Sequence, residues 1–150
     1  RRIATDVHAL SSLDDAYNQD FLCAADILFM SDELLPEPAE SFAWKVIERF
    51  ATQVLVIGQG ARGALLAVRE DRKMMQVPAV RTRAVVNTIG AGDALMAAFL
   101  HEYQLHGDPY EALRSAVVFA SYKIGAKGAA EGFLSEAELK EWRERVSPNR

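Results

Sequence analysis

The residues best arranged for chemistry are Asn87-Thr88-Ile89-Gly90-Ala91-Gly92-Asp93. Two glycines flank an alanine just ahead of an apolar stretch with helical spacing. A loop of this kind aims backbone N–H groups at one point, and the helix dipole adds about half a positive charge there. That point suits a phosphate, or the negative charge that builds on a phosphoryl group in transfer. Asp93 falls in the first helical turn, where a carboxylate can take the proton of an attacking hydroxyl. The plainer reading is a glycine-rich turn with Asp93 as a helix cap.

A second glycine cluster, Gly58-Gln59-Gly60-Ala61-Arg62-Gly63, follows the apolar run QVLVI. Its G-x-G-x-x-G spacing matches the dinucleotide fingerprint, which needs a helix next and an acid about 20 residues on. The following residues, Ala64 to Val68 and then Arg69-Glu70-Asp71-Arg72, read as a strand and a polar hinge instead. No acid occurs between Arg72 and Gly92. A tight turn between two strands is therefore expected, and no G-x-x-x-x-G-K-[ST] phosphate loop is present.

Composition narrows the partners. The chain has 150 residues, a net charge of -4 and 25% charged residues. It offers no basic field for nucleic acid. The single cysteine, Cys23, cannot form an intramolecular disulfide, which suits a reducing, cytoplasmic setting. Cys23 itself reads as a buried helix residue. His8, His101 and His106 lack zinc-ligand company. No apolar run reaches the ~18 residues that span a membrane. The opening RRIATDVHAL reads as a strand and not as a leader. Asp6 and His8 at that strand's end, Trp44 and Trp142, and Met74 and Met75 all have ordinary loop or packing roles available. Arg81 and Arg83 could reach a phosphate, but solvated charges on an edge strand are the default reading.

The elements that position the two loops follow from periodicity. Strands are expected at Arg2–Val7, Asp26–Met30 and Gln53–Ile57. Helices are expected between them, at Asp14–Ala25 and Glu40–Ala51. Tyr17, Phe21, Leu22 and Ala25 share one face of the first helix, and Phe42, Val46, Ile47 and Phe50 one face of the second. This alternation predicts an α/β fold with a mostly parallel sheet flanked by helices. Ala64–Val68 and Lys73–Val77 read as an edge hairpin. A helix from about Gly92 to His106 ends at Gly107-Asp108-Pro109, and a second runs from Pro109 to Lys123. Gly125 to Gly132 is a glycine- and alanine-rich loop, and Ser135 with Glu138 forms a capping box for the last helix.

The stretch NTIGAGDALMAAFL resembles the signature Asp-Thr-x-Gly-Ala-Gly-Asp of the ribokinase-like (PfkB) carbohydrate kinases, matching at Thr88, Gly90, Ala91, Gly92, Asp93 and Phe99. The resemblance extends to QVLVIGQGARGALL, to Ala24–Met30 and to the pair Gly125-Ala126. It covers the whole chain but about the second half of a family member. It implies residues 1–150 are the C-terminal, nucleotide-binding portion of a kinase domain, with the substrate and lid portion outside this chain. It further implies ATP with Mg2+ as phosphoryl donor, a sugar or nucleoside acceptor, and no nucleic-acid or membrane partner; a homodimer is compatible with it. By this resemblance Asp93 is the catalytic base, and Gly90, Ala91 and Gly92 form the anion hole. Gly58, Gly60, Gly63, Thr88, Gly125 and Ala126 border the nucleotide.

Three positions depart from the family pattern. The first Asp of the signature is Asn87, and an amide is a weaker cation ligand, so weak or absent potassium activation is expected. The family's Asn-x-x-Glu motif reads Ser31-Asp32-Glu33-Leu34, so Asp32 or Glu33 must act on magnesium through water. The Thr expected before the glycine turn is Gly58. The altered magnesium motif supports the alternative, a non-catalytic nucleotide- or sugar-binding module.

Overall fold

The computed structural model describes residues 1–147. The chain forms two compact units, Arg1–Gln76 and Val77–Arg150.

The first unit is built on a sheet. Strands β1 (Ala4–Ala9), β2 (Ile27–Ser31) and β3 (Val54–Gly58) run parallel, and β4 (Ala64–Val68) pairs antiparallel with β3. With β5 (Lys73–Val77) at the edge, the order is β1-β2-β3-β4-β5. The first three strands are parallel as expected because helices α1 (Gln19–Ala24) and α2 (Ala39–Arg49) carry the chain back between them. Residues 69–72 are too few for a crossover, so β4 and β5 form the expected hairpin. Ile27 to Met30, Val54 to Ile57 and all of β4 are buried, which explains why they read as continuous apolar runs instead of alternating ones.

Leu28, Met30, Leu55, Ile57, Leu65 and Ala67 pack with Leu22 of α1 and with Phe42, Ala43, Val46 and Ile47 of α2. Phe50 joins the same core, so the apolar face expected of α2 is the face it buries. Trp44 and Met74 pack against this core as half-buried side chains.

Two expectations need correction here. The first helix starts at Gln19, five residues later than Asp14. The Asp15 carboxylate accepts the Asn18 N–H at 2.9 Å and Asn18 Nδ2 at 3.0 Å, and this local turn outcompetes a helix. Tyr17 is therefore outside the helix and 82% exposed. Cys23 is exposed, because the six-residue helix α1 inserts mainly Leu22 into the core. At β1, a bulge between Asp6 and Ala9 puts His8 at φ 61°, and the Asp6 carboxylate accepts the His8 N–H at 2.7 Å. That is a local backbone role for both residues.

Arg69 closes the far end of α2. Its Nε donates to the Thr52 carbonyl at 2.8 Å, and its Nη2 reaches the carbonyls of Ile47 and Phe50. These are the orphan acceptors at a helix C-terminus, where a cation is also favoured by the dipole. Arg69→Met should lower the unfolding free energy by about 2–3 kcal/mol. Urea titration of the variant against the parent checks this.

The second unit is helical: α3 (Ala91–His106), α4 (Pro109–Lys123) and α5 (Glu136–Val146). Gly107, at φ 72°, ends α3 in the left-handed conformation that glycine tolerates. Asp108 then caps α4, accepting from the N–H groups of Tyr110 and Glu111, with Pro109 in the first turn. The capping box of Ser135 and Glu138 is formed at α5. Trp142 packs on Tyr122, ring centroids 5.6 Å apart. Arg143 bonds Glu111 at 2.6 Å and, with Arg114, holds that carboxyl below the usual carboxylate range.

Candidate active site

The loop that leads into α3 is built from backbone geometry. The Asn87 side chain accepts the Ile89 N–H at 2.9 Å, and the Thr88 carbonyl accepts the Ala91 N–H at 3.1 Å. These two bonds turn the chain, and Gly90 completes the turn at φ 78° as the residue capping α3. A Cβ on Gly90 would lie 3.3 Å from the Ala129 carbonyl oxygen and 3.3 Å from Lys123 Cε, so this position is closed to side chains on two counts.

The N–H groups of Gly90, Gly92 and Asp93 have no protein acceptor among the described residues. Ala91 was expected to share in the anion hole, but its N–H is committed to Thr88. Gly92 and Asp93 are exposed, and Asp93 lies in the first turn of α3. The arrangement is a helix N-terminus with free donors and an accessible carboxylate beside them. It can hold an anion and receive a proton at the same place.

A second segment, residues 123–129, backs this loop. The Ile124 carbonyl accepts the N–H groups of Val86 and Asn87, at 2.8 and 3.0 Å. Asn87 Nδ2 donates to the Lys127 carbonyl at 2.9 Å. Lys123 is fully buried, and its Nζ donates to the Gly128 carbonyl at 2.7 Å. Thr88, Gly90, Gly125 and Ala126 are thus brought into one neighbourhood of two hydrogen-bonded loops. Gly125 also has a packing reason to be glycine, since a Cβ there would lie 2.2 Å from Arg83 Nε.

Arg83 corrects the reading of a solvated edge charge. No strand forms around it, and it is half-buried. Its Nε donates to the Tyr122 carbonyl at 2.7 Å, and its guanidinium carbon lies 3.8 Å from the centroid of the Tyr122 ring. Arg81 is exposed, as expected.

In the sheet unit, Gly58–Gly63 is a tight turn joining β3 to β4, with a short 3-10 turn at Gly60–Arg62. Gly60 and Gly63 have φ 55° and 98°, which explains two of the three glycines. No helix N-terminus follows, so the turn lacks the feature that binds a dinucleotide pyrophosphate. At the end of β2, the Asp32 N–H donates to the Gly58 carbonyl at 3.0 Å, so the two turns touch. The Asp32 carboxylate pairs with Arg62, while Glu33 is exposed and Leu34, in the motif's Glu position, is 58% exposed. Among the described residues no three His, Cys, Asp or Glu side chains gather to hold a metal. No described helix is long and apolar enough to cross a membrane.

Lys123 is the residue of this neighbourhood that sequence reasoning missed. A lysine closing a helix reads as an ordinary C-terminal cation, and nothing in its spacing signals complete burial.

Comparison with known proteins places these loops in a family. Over 97% of this chain and 49% of the other, the fold matches the structure of the microbiome-derived acarbose kinase Mak1, at TM-score 0.87 and 31% identity. The acarbose 7(IV)-phosphotransferase of an Actinoplanes species is 30% identical over 141 residues, covering 91% of this chain and 46% of that protein. The deoxyribokinase of Salmonella typhi is 35% identical over 88 residues, covering 59% of this chain and 28% of that protein. The chain thus spans less than half the length of these curated relatives. The model of the pfkB family of carbohydrate kinases matches residues 9–137, and the chain belongs to that family, with a ribokinase-like fold.

Proposed function

We propose that this chain is the C-terminal, nucleotide-binding portion of a cytoplasmic kinase that moves the γ-phosphoryl group of ATP to a hydroxyl of a sugar or nucleoside. The observation that carries the reading is the αL turn at Gly90, which leaves the Gly92 and Asp93 N–H groups free beside the exposed Asp93 carboxylate. ATP supplies the phosphoryl group, and Mg2+ offsets charge on the phosphates. The acceptor's hydroxyl oxygen forms the new O–P bond, the bond to the bridging oxygen breaks, and Asp93 takes the hydroxyl proton. The free N–H groups of Gly90, Gly92 and Asp93 stabilise the equatorial oxygens, which are preorganised-donor contacts of the kind that strengthen in the transition state.

By the family resemblance, the turn Gly58–Gly63 of the sheet unit and, in the helical unit, Gly125-Ala126 and Thr88 are each segments that serve the nucleotide. Asp32, ion-paired with Arg62, and the exposed Glu33 would hold Mg2+ through its waters, and the ion would offset phosphate charge there. Acceptor-dependent ADP release by the whole protein, over a panel of sugars and nucleosides in Mg2+, tests the reading. Nucleotide binding with no turnover on any acceptor would favour the non-catalytic module instead.

The same reading predicts the response to monovalent cations. Asn87 carries no charge, and its side chain already donates to Lys127 and accepts from Ile89. Exchanging potassium for tetramethylammonium should leave the steady-state rate nearly unchanged. A large stimulation by potassium would show a cation site that Asn87 does not weaken.

A further inference from the structure

Lys123 is the one buried charged side chain among the described residues; the other buried polar side chains, Thr52, Gln59 and Ser115, are neutral. Burying an ammonium without a counter-ion is costly, and an apolar side chain of similar size would fill the same space without that cost. No carboxylate among the described residues pairs with Lys123; its Nζ hydrogen bond goes to the Gly128 carbonyl at 2.7 Å. Part of the charge is offset by its place as the last residue of α4, at the negative end of that helix. The side chain runs beside the turn into α3, since an ideal Cβ on Gly90 would lie 3.3 Å from Lys123 Cε, the carbon that carries the ammonium. The same direction meets the Ala129 carbonyl oxygen, in the segment that Lys123 ties down through Gly128.

We propose that Lys123 is a positioning residue for phosphate binding: its buried ammonium supports the Gly90 turn and supplies the positive charge that the phosphates of a nucleotide balance. This rests on the nucleotide-binding reading above. A carbonyl dipole and a helix end offset a charge only in part, and an anion at the free N–H groups of Gly92 and Asp93 would complete the balance. Lys123 would then act on ligand charge rather than on the nucleoside.

The test uses two variants of the purified protein. Lys123→Gln keeps a donor for Gly128 without the charge, and Lys123→Met removes both. Calorimetric titration with ATP, ADP and adenosine reads the charge directly, and thermal melting reads the fold. The expected result is a tenfold or greater loss of ATP and ADP affinity in Lys123→Gln, with adenosine affinity and melting temperature close to the parent. Lys123→Met should lose nucleotide affinity at least as far; if it fails to fold, Lys123→Gln carries the test alone. Equal ATP affinity in Lys123→Gln and the parent would overturn the proposal, and so would a parallel loss for adenosine and ATP, which marks a collapsed loop. Failure of the parent protein to bind ATP would be seen before any variant is made, and would sink the nucleotide-binding reading itself.

Discussion

Asp93→Asn should lower kcat by about 10²–10⁴-fold while leaving the fold and ATP affinity nearly intact. The amide is close to isosteric with the carboxylate, and Asp93 makes no ion pair among those described. It lies exposed in the first turn of α3, where an amide disturbs no packing. What the amide lacks is a basic oxygen, and general-base contributions are typically about 10²–10⁴-fold. Loss of a negative charge beside the phosphates would tighten ATP binding slightly if it changes it at all. A helix-capping role predicts a preserved rate, with any loss appearing as stability, and a small one because Asn caps a helix about as well as Asp. Measuring kcat, ATP affinity and the melting curve on the same preparation separates the two.

Gly90→Ala has the second large effect, and it comes from geometry. At φ 78° a residue with a Cβ is strained by about 1–2 kcal/mol. The new methyl also meets the Ala129 carbonyl and Lys123 Cε at 3.3 Å, and the carbonyl belongs to a backbone held by other bonds. The turn must shift, and the Gly92 and Asp93 N–H groups shift with it. Losing one such donor typically costs about 10²–10³ in kcat. Gly107→Ala is the control. Gly107 has nearly the same φ, 72°, but nothing lies within 4 Å of its Cβ direction. Both variants should lose stability in a denaturant titration, Gly90→Ala more than Gly107→Ala, but only Gly90→Ala should lose turnover by about 10²-fold. Equal activity in the two would mean that the Gly90 turn does not aim the donors.

Much of this was legible in the sequence because it rests on local rules. The strands β4 and β5 and the helix α4 fall on the expected residues, since turn chemistry and a proline at a helix start fix boundaries sharply. The glycine turn between β3 and β4 followed from what comes after it, a strand and a polar hinge. The failures have two physical causes: local side-chain bonds and short elements that override periodicity, and partners far along the chain. The start of α1 was lost to a turn made by Asp15 and Asn18. Cys23 faces solvent because so short a helix has one residue to spare for the core. Arg83 looked like a solvated charge until Tyr122, thirty-nine residues away, provided both a carbonyl and a ring. The burial of Lys123 beside Gly90 could not be read from spacing, because no period relates a helix end to a loop thirty-three positions earlier.

The claim that matters most is that Asp93 takes a hydroxyl proton during phosphoryl transfer. Phosphorus NMR of the whole protein with ATP, Mg2+ and an acceptor identified from the panel follows that transfer directly. The parent protein should build up a phosphate monoester signal as the γ-phosphate signal of ATP declines. Under the same conditions Asp93→Asn should show the three ATP phosphorus signals shifted by binding and almost no ester. Ester formation by Asp93→Asn within about threefold of the parent rate, far below the general-base range, would contradict the assignment.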